Sequence, residues 1–340
     1  MFNDKTILIT GVAGTIGRAL LNKLANKYNC KKIIGIDNNE SELFFVDQDF
    51  TSNDSVFLYL ADIQSQADCT HFTKGIDIVF HCAALKHVIL CEKSPMYAVT
   101  NNLIGLENLI KAANDNCVEK FIFTSSDKAV NPTNVMGTSK LMGERLVTAS
   151  SSKNSNSNII FSSTRFGNVL GSNGSVIPIF KKQIKKGGPV TLTDEQMTRF
   201  IMSIDDAVEL VLNSSAIAQG GEVFVTKMPV ITIQSLAEVM IDKLALGYGF
   251  NPKDIEIKVI GSKPGEKLYE ELMTDEETVR SVELDKYFSV LPSFKCEYKN
   301  VNYNYENIVS KNVNDPYVSM SQEKLTKKEL EMFLINNNLI

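Results

Sequence analysis

The fold is decided by one glycine-rich stretch near the amino terminus, which reads Thr10-Gly11-Val12-Ala13-Gly14-Thr15-Ile16-Gly17. It follows a short apolar run, residues 6–10, and precedes a helical pattern over residues 15–28. Glycines at such a junction let the backbone approach a phosphate closely, and the amides and dipole of the helix start stabilise negative charge. The spacing G-x-x-G-x-x-G therefore predicts a pyrophosphate-binding turn, although a plain strand-to-helix turn could use the same residues.

Short apolar segments alternate with helical patterns along the first half of the chain. The predicted strands cover residues 6–10, 33–37, 56–62, 76–84, 119–125 and 159–165, and the predicted helices cover residues 15–28, 95–116 and 134–149. Strands that are apolar on both faces and alternate with helices predict a parallel sheet covered on both sides. We therefore expect an α/β, doubly wound (Rossmann) domain over residues 1–166.

The second half of the chain is less regular. Glycine and proline mark turns near residues 187–189 and 263–265, and a last helical pattern covers residues 322–336. The serine- and asparagine-rich stretch at residues 150–158 predicts a solvated loop. We expect a smaller, irregular α/β domain over residues 167–340, with elements that can interleave with the first domain.

The bulk composition excludes several classes of protein. Apolar residues make up 44% of the 340 residues and the net charge is −5, which gives no reason to expect a nucleic-acid or membrane partner. The six cysteines form no C-x-x-C pair, as is usual in a reducing compartment, so we expect a cytoplasmic protein. The three histidines lack metal-ligand spacing, and no metal is expected.

An acidic residue sharpens the cofactor prediction. Asp37 closes the second predicted strand, where a carboxylate can accept both ribose hydroxyls of a dinucleotide, although it could instead cap the next helix. No Arg or Lys follows at residues 38–40 to hold a 2′-phosphate, so NAD is favoured over NADP. Other residues expected around the cofactor end the third and fourth strands: Asp62, Ile63, Ala83 and Ala84.

A series of further motifs carries a family resemblance. They lie at residues 83–88 (AALKHV), 102–105 (NLIG), 125–132 (SSDKAVNP), 136–140 (MGTSK), 165–169 (RFGNV), 174–178 (GSVIP) and 264–267 (PGEK). With the glycine turn, they make the chain resemble the extended short-chain dehydrogenase/reductases and, within these, the nucleotide-sugar 4,6-dehydratases of bacterial polysaccharide biosynthesis. The resemblance implies that Asn102 and Lys86 lie at the cofactor.

The resemblance also implies a catalytic set. In the family a tyrosine precedes a lysine by four residues on one helix face, and here Met136 stands at the tyrosine position before Lys140. A subset that acts on N-acetylglucosamine nucleotides is similar in having methionine there. It keeps a Ser/Thr-Asp-Lys segment, which Ser126, Asp127 and Lys128 match.

The chemistry of a dehydratase suggests a role for each residue of that segment. Asp127 would be the acid for the departing C6 hydroxyl, Lys128 the base at C5 and Ser126 a partner of the C4 hydroxyl, while Lys140 would hold the nicotinamide ribose. These roles require a lowered pKa at Lys128 and a protonated Asp127. The alternative is an ion pair that caps a strand end, and the group that removes the C4 hydroxyl proton stays open.

The expected substrate contacts rest on the same resemblance. Asn168, Ser175, Val176 and Arg199 would hold the nucleotide diphosphate, Glu266 the nucleotide ribose, and Lys86 and His87 the sugar side of the site. Arg199 could instead pair with Asp194 or Glu195 on the surface. Lys86 could be a plain exposed loop lysine, and His87 a packed or hydrogen-bonded histidine.

Together these observations favour an NAD-dependent dehydratase of UDP- or GDP-N-acetylglucosamine, with UDP preferred. Oxidation at C4, loss of water across C5 and C6 and return of the hydride to C6 would give a 4-keto-6-deoxy sugar nucleotide for surface glycans. The alternatives are the same reaction with C5 epimerisation, a C4 epimerase, and a non-catalytic NAD-binding sensor. By resemblance, a homo-oligomer, dimer or higher, is expected.

Overall fold

The computed structural model describes residues 1–153, 159–172, 175–261, 265–294 and 301–340, apart from the side chains of residues 152 and 153. Its first six strands are β1 (Thr6–Thr10), β2 (Lys32–Asp37), β3 (Val56–Leu60), β4 (Ile78–His81), β5 (Lys120–Ser126) and β6 (Ile160–Phe166). They pair in parallel in the order β3-β2-β1-β4-β5-β6. This is the doubly wound arrangement, so the predicted fold class is confirmed.

The second half of the chain supplies the remaining strands. They are β7 (Asn168–Val169), β8 (Val190–Leu192), β9 (Thr198–Met202), β10 (Val223–Thr226), β11 (Val230–Thr232), β12 (Ile257–Val259), β13 (Glu271–Met273), β14 (Ser281–Leu284), β15 (Tyr287–Val290), β16 (Ile308–Ser310) and β17 (Tyr317–Val318). Strand β10 pairs in parallel with β6, and β15, β14 and β16 extend the same sheet with antiparallel pairing. The second half thus completes the large sheet as well as forming small sheets of its own.

The helices are α1 (Thr15–Lys27), α2 (Glu40–Phe50), α3 (Gln66–Phe72), α4 (Val88–Lys93), α5 (Pro95–Ala98), α6 (Gly105–Asp115), α7 (Val135–Lys153), α8 (Val176–Ile184), α9 (Ile204–Ile217), α10 (Ile233–Leu244), α11 (Asp275–Thr278) and α12 (Lys327–Asn336). The sequence did not predict α2, which buries only Leu43 and Val46 and so shows a weak apolar pattern. Within the described ranges, no helix combines the length and apolar character that spanning a bilayer requires.

Two predicted segments differ from the structure. The predicted helix over residues 95–116 is divided into α5, a π-helical segment (Val99–Ile104) and α6. Helix α7 continues to Lys153, into the predicted loop, whose residues 154–158 lie outside the described ranges. The π-helical segment buries two polar side chains, Asn101 and Asn102, beside the loop that follows β4.

A buried ion cluster ties the two halves of the chain together. Arg165, on β6, donates to both carboxylate oxygens of Glu144 on α7 at 3.0 and 2.6 Å, and to both oxygens of Glu277 on α11 at 3.0 Å. Its Nη1 also donates to the Leu272 carbonyl at 2.7 Å. We call Glu144, Arg165 and Glu277 the structural cluster, because every charge in it is buried and paired.

Candidate active site

The residues predicted from separate strands meet at one edge of the sheet. Gly11 follows β1, Asp37 ends β2, Ala83 follows β4 and Ser126 ends β5. Because these strands are parallel, their carboxyl ends lie side by side. In open α/β sheets, ligands bind in the crevice outside this edge, and we call that region the groove.

The glycine turn is as close-packed as a phosphate-binding turn requires. Gly11 has φ 69°, and a Cβ there would lie 2.6 Å from the Ala83 amide nitrogen. A Cβ on Gly17 would overlap the Gly11 carbonyl oxygen. Helix α1 is described in full, and its first turn has no acidic residue and no side-chain cap on Gly14. Its initial amides are therefore left for an anionic ligand.

Asp37 lies at the end of β2, beside the glycine turn. Its Oδ2 accepts from the Ala13 amide at 3.0 Å and its Oδ1 from the Asn39 amide at 3.0 Å. The cap of α2 is Asn39, whose side chain accepts from Glu42, so Asp37 is not the helix cap. Together with the open amides of α1, this carboxylate fits NAD.

Two residues at the next strand end complete that side of the groove. Asp62 lies just beyond β3, and its Oδ1 accepts from the Gln64 amide at 2.9 Å. Its Oδ2 is 3.5 Å from Asn38 Nδ2, and the neighbouring Ile63 is buried. The predicted adenine side therefore lies next to Asp37.

Helix α7 carries the Met136 and Lys140 pair. Lys140 is buried, its Nζ donates to the Thr124 carbonyl at 2.9 Å, and it lies 4.7 Å from the centre of the Phe123 ring. Burial lowers the pKa of Lys140 to about 8. Met136 packs one turn earlier against buried Cys91. The tyrosine position thus holds a thioether, which has no proton to exchange.

Asn102 contacts other residues of the protein, whereas the family resemblance implies that it lies at the cofactor. Its Nδ2 donates to Ser139 Oγ at 2.9 Å and to the Leu85 carbonyl at 3.1 Å, and its Oδ1 accepts from the Leu85 amide at 2.8 Å. Both amide hydrogens are used inside the protein, so Asn102 fixes the loop after β4 and offers no donor to a cofactor.

The Ser-Asp-Lys segment forms a short 3₁₀ turn, Asp127–Ala129, directly after β5. Ser126 Oγ donates to Asp127 Oδ1 at 2.5 Å, and Lys128 Nζ lies 3.2 Å from both Asp127 carboxylate oxygens. The Asp127 side chain is buried, whereas that of Lys128 is 32% exposed. A buried carboxylate thus lies between a hydroxyl and an ammonium group that faces the groove.

Glu270 is the functional candidate that the sequence analysis missed. Its Oε1 lies 3.7 Å from Lys128 Nζ and 3.2 Å from Arg199 Nε, and Asn168 Nδ2 donates to both of its oxygens at 3.1 and 3.0 Å. We call Asp127, Lys128, Glu270 and Arg199 the site cluster. The sequence gives one sign of this residue. An acidic residue follows the 264–267 motif, whose own acidic residue, Glu266, was the one predicted to bind the substrate.

The site cluster distributes its protons differently from the expectation. Burial and the charge of Asp127 raise the pKa of Glu270 to about 7. Burial alone would raise the pKa of Asp127, but the Lys128 charge and hydrogen bonds from Glu270 and Ser126 lower it. Burial opposes the charged form of Lys128, but Asp127 and Glu270 outweigh it and raise the pKa of Lys128.

These directions are opposite to those the sequence-based roles required. Before substrate binds, the directions favour the charged forms of Lys128 and Asp127, while Glu270, with a pKa of about 7, is present in both its neutral and its ionised form near neutral pH.

Arg199 is likewise placed differently from both sequence readings. Apart from Glu270, its guanidinium nitrogens contact, at 2.7 to 3.3 Å, the carbonyl oxygens of Thr198, Lys267 and Leu268 and the sulfur of Met197. These four contacts use the N–H groups of Nη1 and Nη2, and Nε lies 3.2 Å from Glu270, so none is left for a phosphate in this arrangement. Arg199 instead stabilises the ionised form of Glu270.

The remaining predicted substrate residues are spread around the groove. Ser175 lies at the start of α8, and its buried Oγ has no hydrogen-bond partner among the described residues. Val176 is half-buried, while Lys86, His87 and Glu266 are exposed. Asn173, Gly174, Lys263 and Pro264 lie outside the described ranges. In the described part of the chain, no group of three His, Cys, Asp or Glu side chains is arranged to hold a metal.

Comparison with known families and proteins gives consistent matches. A family described as "Polysaccharide biosynthesis protein" matches residues 7–292. An uncharacterized membrane protein, MJ1061, of Methanocaldococcus jannaschii is 50% identical over 86% of this chain and 87% of its own length. A UDP-glucose 4-epimerase of Rickettsia bellii is 37% identical over 99% of this chain and 97% of its own.

Solved structures match as well. The X-ray structure of Pen from Bacillus thuringiensis superposes with a TM-score of 0.91 at 39% identity, covering 100% of this chain and 99% of that one. More distant structures that contain NAD share the fold with TM-scores of 0.64 to 0.67 at 19% to 23% identity.

Proposed function

Because the chain belongs to the polysaccharide biosynthesis protein family, we propose that it is a nucleotide-sugar 4,6-dehydratase acting on UDP-N-acetylglucosamine, with GDP-N-acetylglucosamine the less favoured substrate. The observation that carries the proposal is the Ser126-Asp127-Lys128 turn at the carboxyl edge of the sheet. An acid and a base at one place are what elimination of water across C5 and C6 requires. The product would be a 4-keto-6-deoxy sugar nucleotide for surface glycans.

The cofactor of this reaction is NAD, as in the distant structures that share the fold. The amides at the start of α1 would hold its pyrophosphate, Asp37 its adenosine ribose and Lys140 its nicotinamide ribose. Bound there, NAD supplies a hydride acceptor at C4 of the sugar and returns the hydride at C6.

Asp127 can serve both proton steps in turn. Because it is ionised and accepts from Ser126 Oγ at 2.5 Å, it can take the C4 hydroxyl proton through that serine. The protonated Asp127 can then give its proton to the C6 hydroxyl, which leaves as water. This order provides a base for C4 without the tyrosine that Met136 replaces.

A C4 epimerase is the second candidate, favoured by the name of the Rickettsia bellii relative. Epimerisation needs no acid for a C6 hydroxyl, so it gives no role to the buried Asp127 beside Lys128. The two candidates differ in product mass, because only the dehydratase removes water.

The deciding experiment incubates the protein and NAD with UDP-N-acetylglucosamine or GDP-N-acetylglucosamine and follows the nucleotide sugar by mass spectrometry. Loss of one water supports the dehydratase, and an isomer of unchanged mass supports the epimerase. Bound NAD with no change in either substrate would instead indicate a non-catalytic sensor. The configuration of the product at C5, determined by NMR, separates retention from epimerisation.

We also expect a homo-oligomer in the cytoplasm. Exposed apolar side chains lie on neighbouring elements, α5 and the π-helical segment: Met96 is 65% exposed, Tyr97 68% and Ile104 51%. Such groups on a protein surface usually mark an interface. Size-exclusion chromatography with light scattering tests this expectation.

A further inference from the structure

Glu270 is a buried carboxyl that the reaction as described above does not use. It lies at the back of the site, where its backbone amide donates to Ser319 Oγ at 2.9 Å and the Ser319 amide donates to its carbonyl. Its side chain faces Lys128, Arg199 and Asn168, and the charge of Asp127 is near enough to raise its pKa.

Lys128 must lose a proton before it can act as a base, and Glu270 is placed to accept that proton. A lysine removes a carbon-bound proton only as a neutral amine, yet Asp127 and Glu270 both stabilise its ammonium form. Lys128 Nζ therefore needs an acceptor for its excess proton within direct reach. The two candidates are Asp127 at 3.2 Å and Glu270 at 3.7 Å. In the proposed order Asp127 is engaged with the C4 hydroxyl proton.

We propose that Glu270 accepts the excess proton of Lys128 when substrate enters, and so provides the neutral amine that removes the C5 proton. The inference rests on the dehydratase function proposed above. Substrate entry displaces water from the exposed part of Lys128, and loss of water favours a neutral amine and acid over an ion pair.

The protons balance over one turnover. An N–H bond of Lys128 breaks and an O–H bond forms on Glu270, so one positive and one negative charge become two neutral groups. The lone pair of Lys128 takes the C5 proton while the C6–O bond breaks and Asp127 protonates the leaving hydroxyl. After the hydride is returned to C6, the Lys128 ammonium gives its proton back to C5. Glu270 returns the stored proton when product leaves.

The residues around Glu270 give it a pKa suited to accepting and returning a proton. Burial and Asp127 raise its pKa, while Lys128 and Arg199 lower it, and the result of about 7 is near neutrality. Asn168 and Ser319 are the uncharged partners, and the adjacent ion pair of Lys267 and Glu271, 3.0 Å long, is the other charged group nearby. Since only the ionised form accepts a proton, C5 proton removal should increase with pH through about 7.

The test measures C4 oxidation and C5 proton removal separately in the intact chain supplied with NAD and UDP-N-acetylglucosamine. Cofactor absorbance in a single turnover reports oxidation at C4, and deuterium uptake at C5 in heavy water reports the base. We expect Glu270→Gln to slow C5 exchange and water loss about 100-fold or more and to flatten their pH profile, while C4 oxidation stays near the wild-type rate. Glu270→Asp should retain part of the exchange rate and of the pH dependence.

Glu271→Gln is the matched control, because it removes a neighbouring carboxylate that does not contact Lys128, and it should keep the wild-type exchange rate. Thermal unfolding shows whether each variant is folded. If Glu270→Gln has a folding defect, the C5 exchange rate and pH profile of Glu270→Asp test the proposal instead. The proposal is overturned if Glu270→Gln retains the wild-type C5 exchange and pH profile, or if it slows C4 oxidation equally. Failure of the wild-type protein to release water would overturn the dehydratase function itself, a result visible before any variant is compared.

Discussion

The structural cluster and the site cluster are both buried ion networks, but they hold their protons differently. In the structural cluster, burial alone would raise the pKa of Glu277, but Arg165 outweighs it and lowers the pKa to about 2. In the site cluster, Lys128 approaches Glu270 only to 3.7 Å, and the pKa of Glu270 is raised to about 7. Glu277 therefore stays ionised far below neutral pH, while Glu270 can gain or lose a proton near neutral pH.

The difference follows from geometry more than from the number of charges. Arg165 meets each carboxylate with two hydrogen bonds, which compensates the loss of water on burial. Glu270 has a cation at 3.2 Å but also the neighbouring charge of Asp127, so its ionised form is less stable. The first arrangement joins two halves of the fold, and the second is suited to proton transfer.

The largest expected effect is on activity and comes from Lys128→Ala. Removal of the amine that takes the C5 proton should lower the rate of water loss by about 100- to 10,000-fold, the range expected for a general base. The measurement is product formation by mass spectrometry, with thermal unfolding as the test of folding. Lys227→Ala is the control, because Lys227 is also in an ion pair, 2.7 Å from Glu283, and is equally exposed at 31%. Similar losses of activity in Lys128→Ala and Lys227→Ala would contradict a catalytic role specific to Lys128.

Arg165→Met should have the next largest effect, on stability. Glu144 and Glu277 would be left buried without their cation, which should reduce the free energy of unfolding by about 3–5 kcal/mol. Urea unfolding followed by circular dichroism measures it. Adding Glu144→Gln and Glu277→Gln to the Arg165→Met chain should recover much of the loss, because no unpaired charge then remains. A fully stable Arg165→Met variant would show that the cluster does not hold the halves together.

Acidification should weaken the structural cluster through Glu277. Its pKa is about 2 when folded and 4.5 ordinarily, so its contribution is present above about pH 4.5 and is lost as the pH falls toward 2. The loss should amount to about 3 kcal/mol of unfolding free energy over that interval. The wild type should therefore show a steeper loss of stability on acidification than Glu277→Gln. Parallel curves for the two proteins would contradict the lowered pKa.

The site cluster should show the opposite pH dependence, in an interval near neutral pH. The folded-state pKa of Glu270 is raised, so its contribution is greatest below about pH 4.5 and is lost as the pH rises through about 7. Between about pH 5 and 8 the wild type should lose about 2 kcal/mol that Glu270→Gln does not lose. Urea unfolding at several pH values compares the two chains. Because Glu222 has a similarly raised pKa, only the difference between them isolates Glu270.

Local sequence was sufficient for the first half of the fold. An apolar run, a glycine turn and a helical period predicted a strand at residues 6–10 and a helix from Thr15. The structure has β1 and the start of α1 at these positions. The helix α2 was missed because an exposed helix leaves little periodicity. The division of residues 95–116 around a π-helical segment was missed as well, and Asn102 of that segment contacts Leu85, 17 positions away, which no helical period indicates.

The candidate site also contains residues that local sequence predicts and residues that it does not predict. Residues close in the chain, such as Ser126 with Asp127 and Met136 with Lys140, could be assigned from spacing. Residues that reach the site from far away could not: Arg199 was expected at a phosphate, and Glu270 was not proposed at all. Their partners are set by the tertiary contacts that bring Arg199 of β9 and Lys128 of the turn after β5 to Glu270, and no local pattern records these contacts.

By itself the sequence determined the Rossmann sheet, the glycine turn with Asp37 and the position of the Asp127-Lys128 pair, because periodicity and turn chemistry act over a few residues. Only the tertiary structure decided which of these groups carries a proton. Asp127 and Glu270 are 143 positions apart, the difference of their residue numbers, and their charges affect each other only when the fold is complete. The pKa of a buried acid depends on lost water and neighbouring charges, and both are properties of the packed chain.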